Sequence, residues 1–145
     1  MSLTFTPTEL DYLRTQRLGR LATVDRHGAP QNNPVGFVVD EASGQMVIGG
    51  LDLAATRKFR NVQDNPQAAF VVDDLASVDP WRVRGVEVRG NAEALDDADP
   101  PMRGMSRAVI RITPRWIASW GLGDGAGMSV RRATPEPNAS AQRTG

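Results

Sequence analysis

Hydrophobic and polar positions alternate over most of this chain, and the alternation is broken by glycine and proline at short intervals. Thr6-Pro7-Thr8-Glu9 predicts a helix start, with Thr6 as cap, Pro7 in the first turn and Glu9 completing a capping box. Leu10, Tyr12 and Leu13 then give a short amphipathic helix that ends near Gln16. Positions 18, 22 and 24 are apolar in a strand-like segment over 18–24, and Asp25-Arg26-His27-Gly28 reads as a hairpin turn. A returning strand covers 31–40, a second turn 40–44, and a third strand 46–48. A helix without Gly or Pro follows over 54–63 and is stopped by Asp64-Asn65-Pro66. Ala68 to Val72 is apolar on both faces, as in a buried strand. The acidic stretch 73–81 reads as a loop ending in Pro80-Trp81, and 82–95 as a long strand whose Gly85 and Gly90 mark bends or close backbone approaches. After an acidic connection over 96–104, a last strand covers 107–119. From Gly121 the composition turns to Gly, Ala, Pro, Ser and Arg. The barrel domain is therefore expected over 1–122 and a mobile C-terminal tail over 123–145.

Short strands joined by hairpin turns, with only two helices, predict a mainly β fold: a closed or nearly closed antiparallel barrel of six strands. At 145 residues the chain fits one domain, able to bury roughly two-thirds of its unfolded surface. Formal net charge is zero, so no global field draws in nucleic acid or an anionic membrane. No apolar run approaches the ~20 residues of a membrane span. The N-terminus lacks a basic region followed by an apolar stretch, so no signal peptide is expected and a cytoplasmic location is the default.

Reactive side chains are scarce. There is no cysteine, which excludes thiolate nucleophiles and Cys-based metal sites. The one histidine, His27, falls in a predicted turn. No catalytic residue and no metal site is assigned. Asp73, Asp74 and Asp79 are read as a solvated acidic loop, because their spacing is not that of a calcium loop.

A phosphate site is better supplied. The strand over 46–48 ends in Gly49-Gly50, and the next helix opens with Thr56-Arg57-Lys58, the only lysine among sixteen arginines. Exposed N–H groups and the helix dipole favour an anion at such a start. Arg57 and Arg60 can fork onto phosphate oxygens and Lys58 adds a point charge. A solvated basic helix turn is the competing reading of the same residues. The strand Pro34-Val35-Gly36-Phe37 and the Gly49-Gly50 step offer backbone and little bulk, a surface on which a flat ring can lie. Trp81, Trp116 and Trp120 either wall such a pocket or fill core and interface. A phosphate-ready domain with few reactive groups fits a protein whose cofactor does the chemistry.

The run Arg17-Leu18-Gly19-Arg20-Leu21-Ala22-Thr23-Val24 and the segment from Gly28 through Asn32-Asn33-Pro34-Val35-Gly36-Phe37 resemble the pyridoxamine 5′-phosphate oxidase-like split-barrel superfamily. Thr56 to Val62, followed by Asn65-Pro66, is similar to its phosphate-binding segment. The stretches 76–84, 87–90, 112–115 and 119–121 resemble a branch of coenzyme F420-dependent oxidoreductases of actinobacteria. The resemblance spans about residues 5–122 and implies a six-stranded antiparallel split β-barrel (the FMN-binding split barrel), active as a homodimer. It implies that Thr56, Arg57 and Lys58 hold the cofactor phosphate and that Asn33, Pro34, Val35 and Gly36 run along the ring. Trp81 and Arg82 would approach the same groove, from the partner subunit. The C-terminal segment lacks the arginine–histidine pattern of true pyridoxamine phosphate oxidases, which argues against vitamin B6 oxidation. The expected activity is hydride transfer from reduced F420 to an unsaturated small molecule. The rivals are an FMN-dependent oxidoreductase and a carrier that binds cofactor without turnover. Nucleic acid and membrane are not expected partners.

Overall fold

A computed structural model describes residues 4–123 and 127–133. The elements run α1 (Pro7–Arg14), β1 (Leu18–Val24), β2 (Pro30–Asp40), β3 (Gln45–Gly49), a single 3-10 turn (Leu53–Ala55), α2 (Arg57–Asp64), β4 (Gln67–Ser77), β5 (Arg82–Leu95), β6 (Val109–Trp120) and β7 (Met128–Arg132). The strands hydrogen-bond in the order β3-β2-β1-β4-β5-β6-β7, and β3 also pairs with β6. That last pairing, Met46 to Ile48 against Ile112 to Ile110, closes six strands into an antiparallel barrel. β3 takes the first part of one edge of β6 and β7 takes the rest, from Trp116 to Trp120. The barrel is split between them.

The expected elements are present, with two differences. The acidic segment is not all loop: β4 continues through Asp73 and Asp74 to Ser77. Asp73 is paired with Arg20, and Arg84 donates to Asp74 at 2.7 Å, so cross-strand arginines neutralise what looked like solvated turn charge. The second difference concerns the C-terminus. Residues 128–132, assigned to a tail, form β7 and extend the sheet. Arg131 of β7 reaches the buried Glu9, donating to its two oxygens at 2.9 and 2.5 Å. The pattern hid this strand because its side chains are mostly exposed, so no apolar alternation marks it. The remainder of the assigned tail, 124–126 and 134–145, lies outside the described residues.

Two helices close the barrel. Thr6 and Glu9 form the expected capping box, with Thr6 Oγ1 accepting from Glu9 N–H (3.1 Å) and Glu9 Oε1 accepting from Thr6 N–H (3.0 Å). α1 drives Tyr12 and Leu13 into one end of the core, and α2 contributes Phe59 and Val62. Between them pack Leu21, Met46, Ile48, Phe70, Ile110 and Ile112, all at most 2% exposed. Gly90 permits a close approach: a Cβ there would stand 2.0 Å from Thr113 O, at the register shift between β5 and β6. No helix among the described residues is long and apolar enough to cross a membrane.

Candidate cofactor site

The site begins at α2. Thr56 is its N-cap: the hydroxyl donates to Leu53 O (2.6 Å) and accepts from Phe59 N–H (3.4 Å). Phe59 and Val62 turn inward, which sends Arg57 and Arg60 to solvent and leaves Lys58 half-buried. No hydrogen bond or ion pair ties these three cations to a carboxylate among the described residues. Arg57 lies toward the β1–β2 turn. There Asp25 Oδ1 accepts from Ala29 N–H (2.9 Å) and His27 N–H (2.8 Å), which holds the carboxyl below its ordinary range, with Arg57's charge a smaller contribution. His27 therefore occupies the turn as its position predicts.

A buried amide anchors α2. Asn61 is 3% exposed, and its Nδ2 donates to Thr23 Oγ1 (3.1 Å) on β1 and to Gln31 Oε1 (3.3 Å) on β2. Sequence reasoning missed this residue, since neither charge nor glycine marks it. A polar side chain on the inward face of a strongly amphipathic helix was the available signal.

The second part of the site is a floor of backbone. Val35 and Phe37 of β2 point into the core, so Gly36 faces out, with the exposed Pro34 on the same side. Gly36 pairs directly with Gly49 of β3. Asn33 and Val35 face the other way, Val35 being 7% exposed and part of the core. Gly50 joins floor to helix: its carbonyl accepts from Ser106 N–H (2.9 Å), and Ser106 Oγ accepts from Leu53 N–H (3.3 Å). The chain thus runs from this glycine pair through the 3-10 turn into α2, but Gly49 is buried and Pro101, Met102 and Met105 pack over the pair.

Trp81 and Arg82 are elsewhere. They sit on the β4–β5 hairpin at the α1 end, and Trp81 is 68% exposed. The chain reaches α2's end of the barrel near Ala92, whose N–H donates to Pro66 O (2.9 Å). From Arg82 to Ala92 the strand runs for roughly 30 Å at ~3.3 Å per residue. One protomer therefore does not bring Trp81 and Arg82 to the cations of α2. They line instead an open cleft of about 920 Å³ with Tyr12, Arg84 and Asp11. The polar groups beneath this cleft satisfy one another. Tyr12 OH donates to Asp74 Oδ1 (2.9 Å), and Arg84 donates to both Asp74 oxygens (2.7 and 3.0 Å). Burial, then the Asp74 carboxylate, pushes the Tyr12 phenol well above its ordinary value. Its proton is not available near neutral pH. Trp116 and Trp120 are also absent from the α2 surface. Trp116 stacks under the Arg89 guanidinium at 4.1 Å, and Trp120 packs where a Cβ on Gly85 would fall 2.6 Å away.

The family described as pyridoxamine 5′-phosphate oxidase matches residues 5–130. A protein of Streptomyces rimosus subsp. rimosus, named 5a,11a-dehydrotetracycline/5a,11a-dehydrooxytetracycline reductase, is 47% identical over 135 residues, covering 91% of this chain and 95% of its own. Among solved structures, a heme binding protein from Mycobacterium smegmatis superposes with a TM-score of 0.64 at 19% identity, over 87% of this chain and 57% of that one. This chain thus spans just over half the length of that neighbour. A pyridoxamine 5′-phosphate oxidase-related, FMN binding protein from Nostoc punctiforme gives a TM-score of 0.52 at 13% identity, over 88% and 92% of the two chains. At such identities these structures establish the fold alone.

Proposed function

The chain belongs to the pyridoxamine 5′-phosphate oxidase family and is an oxidoreductase, and from that premise we propose that it uses the deazaflavin coenzyme F420 to reduce an unsaturated small molecule. The carrying observation is the set of three cations on α2, without carboxylate partners among the described residues. Cations left unpaired on a rigid, capped helix favour an external anion. For a flat ring to lie on the Gly36–Gly49 pair, the Pro101, Met102 and Met105 side chains that cover it would have to move. The cations therefore fit the phosphate of such a cofactor. When bound, that group supplies the hydride. Lys58 and the α2 N-terminus would hold its phosphate, and Arg57 and Arg60 would meet further negative charge. The balancing proton would come from solvent or a bound group. The dehydrotetracycline reductase lends support to an unsaturated organic acceptor.

FMN is the second reading, supported by the FMN binding neighbour of the same fold. Arg57 and Lys58 are rotated about 100° from each other on the helix, so positive charge points in two directions. That arrangement suits a phosphate with a carboxylate tail better than a phosphate alone. The test is a paired titration with F420 and FMN at low and moderate salt. Tighter F420 binding that weakens with salt is expected, because several screened charges contribute. Tighter FMN binding, or F420 binding indifferent to salt, overturns the F420 assignment.

The active form is proposed as a homodimer in which the hairpin of one protomer completes the groove of the other. Leu75, Val78, Trp81 and Val83 on that hairpin are 42%, 69%, 68% and 39% exposed, an apolar tip that a second copy would cover. Light scattering at micromolar concentration should give twice the chain mass, and a monomer would refute the assembly.

A further inference from the structure

The open cleft at the α1 end, about 920 Å³, has room for a molecule of several fused rings. α1 contributes Thr8, Asp11 and Tyr12 to its lining, and the β4–β5 hairpin contributes Trp81, Arg82 and Val83. The chain leaving β6 adds Gly121, at φ +66°. A Cβ there would stand 2.2 Å from Val83 O, so bare backbone closes the cleft on that side. The charges of the lining do not cancel. Arg84 is committed to Asp74, donating to both its oxygens, and Asp11 is committed to Arg14 at 2.8 Å. The Tyr12 phenol is tied to Asp74 as well. Arg82 has no ion pair among the described residues, and Asp79 on the same hairpin lies beyond ion-pair distance of it. Beside it Trp81 is 68% exposed, an indole that the fold of one chain leaves wet.

An unspent guanidinium next to an uncovered indole is a matched pair of contacts. The indole gains by stacking against a flat apolar face, and the guanidinium by forking onto a carboxylate or enolate oxygen. Resting on the reductase and homodimer readings above, we propose that this cleft receives the unsaturated organic acceptor. The acceptor it fits is a flat polycyclic anion, with its rings on Trp81 and its charged oxygen on Arg82. Each contact rejects a different competitor. A small aliphatic acid would satisfy Arg82 and leave Trp81 wet. A neutral polycycle would cover Trp81 and leave Arg82 without a counter-charge. In the proposed dimer the same hairpin completes the groove of the second copy, which would bring a molecule stacked on Trp81 to the cofactor bound there.

The probe is anthracene-2-carboxylate, titrated against the full chain by fluorescence anisotropy, with anthracene-2-carboxamide as its neutral match. In cofactor-free protein, Trp81→Ala should weaken binding of both compounds about tenfold. Arg82→Gln should weaken the carboxylate about tenfold and leave the carboxamide unchanged. Both positions are exposed, so neither variant endangers the fold. Lys58→Ala, at the other end of the barrel, should change neither affinity. In protein saturated with cofactor the carboxylate should bind with an unchanged Kd, because acceptor and cofactor are held together. Absence of carboxylate binding at millimolar concentration, binding indifferent to Trp81→Ala and Arg82→Gln, or displacement of the probe by cofactor overturns the proposal. Failure of both F420 and FMN to bind in the cofactor titration overturns the reductase reading, and the acceptor role with it, whatever the probe does, so the two failures are distinguishable.

Discussion

The barrel is closed at both ends by helices of eight residues, and the two ends handle charge in opposite ways. At the α1 end several ionisable groups are paired, although Arg17 and Arg82 are in no ion pair. Glu9 meets Arg131, Asp74 meets Arg84 and Tyr12, and Arg14 meets Asp11 and Glu41. At the α2 end, Arg57, Lys58 and Arg60 have no carboxylate within ion-pair distance among the described residues, and the buried contact is neutral, Asn61 to Thr23 and Gln31. A satisfied charge network contributes to folding and has little left to offer a ligand. Unsatisfied cations over a neutral, rigid anchor are a binding surface. On the proposed reading, stability is concentrated at one end and cofactor recognition at the other.

The largest expected effect is at the α1 end. Glu9 is 1% exposed and ties α1 to β7 through Arg131. Glu9→Ala should lower unfolding stability by about 3 kcal/mol in urea titrations, as for a buried pair that loses one partner. Cofactor affinity should be unaffected, which separates the two ends. Burial raises the Glu9 carboxyl, but hydrogen bonds from Arg131, Ser119 and the Thr6 N–H outweigh it, so the group lies below its ordinary value of 4.5. A depressed carboxyl stabilises the fold above its unfolded pKa and loses that contribution as pH falls through the folded one. Wild-type stability should therefore drop below about pH 4.5 more steeply than that of Glu9→Gln. Parallel acid profiles would mean the ion pair does not stabilise the fold.

Next comes Lys58→Ala. Loss of one charge-assisted contact should weaken cofactor binding by roughly 1.5–3 kcal/mol, about ten- to a hundredfold in Kd. The melting temperature of the unliganded protein should not move, because no described ion pair depends on Lys58. An unchanged Kd would assign the segment to an ordinary solvated helix turn and dissolve the contrast between the ends. Asn61→Ala should cost about 1–2 kcal/mol of stability by leaving Thr23 without its partner in the core. It sharpens the comparison if cofactor Kd rises as well, since a loosened α2 no longer holds its cations in place. The smallest effect is expected from Lys58→Arg. Its charge is kept but a fork replaces a point, and affinity should fall only severalfold.

Much of the α2 end was readable in one dimension. The cationic turn at Thr56-Arg57-Lys58 and the Gly49-Gly50 step are local signals, and each acts within a few residues of itself, although the helix was expected from Ala54 and begins at Arg57 behind the Thr56 cap. Asn61, Ser106, Met102 and Met105 were not readable. Their importance depends on partners 30 to 69 residues away, such as Gln31 for Asn61 and Gly36 for Met105. Trp81 and Arg82 were picked out with the others, yet the strand that carries them points their hairpin to the opposite end of the barrel.

The alternation of side chains and the turn residues between strands were enough, by themselves, to determine a small antiparallel barrel, because strand period and hairpin chemistry are properties of neighbouring residues. Its capping box, most strand positions and the cationic helix start follow from the same local rules. Tertiary structure alone decided how the barrel closes, through β3 on β6, and that an unpatterned C-terminal segment becomes β7. It also decided which charges are consumed by folding and which remain for a ligand. Pairing of charges is a matter of distance in three dimensions, and Coulomb energy does not record how far apart two residues lie in the chain.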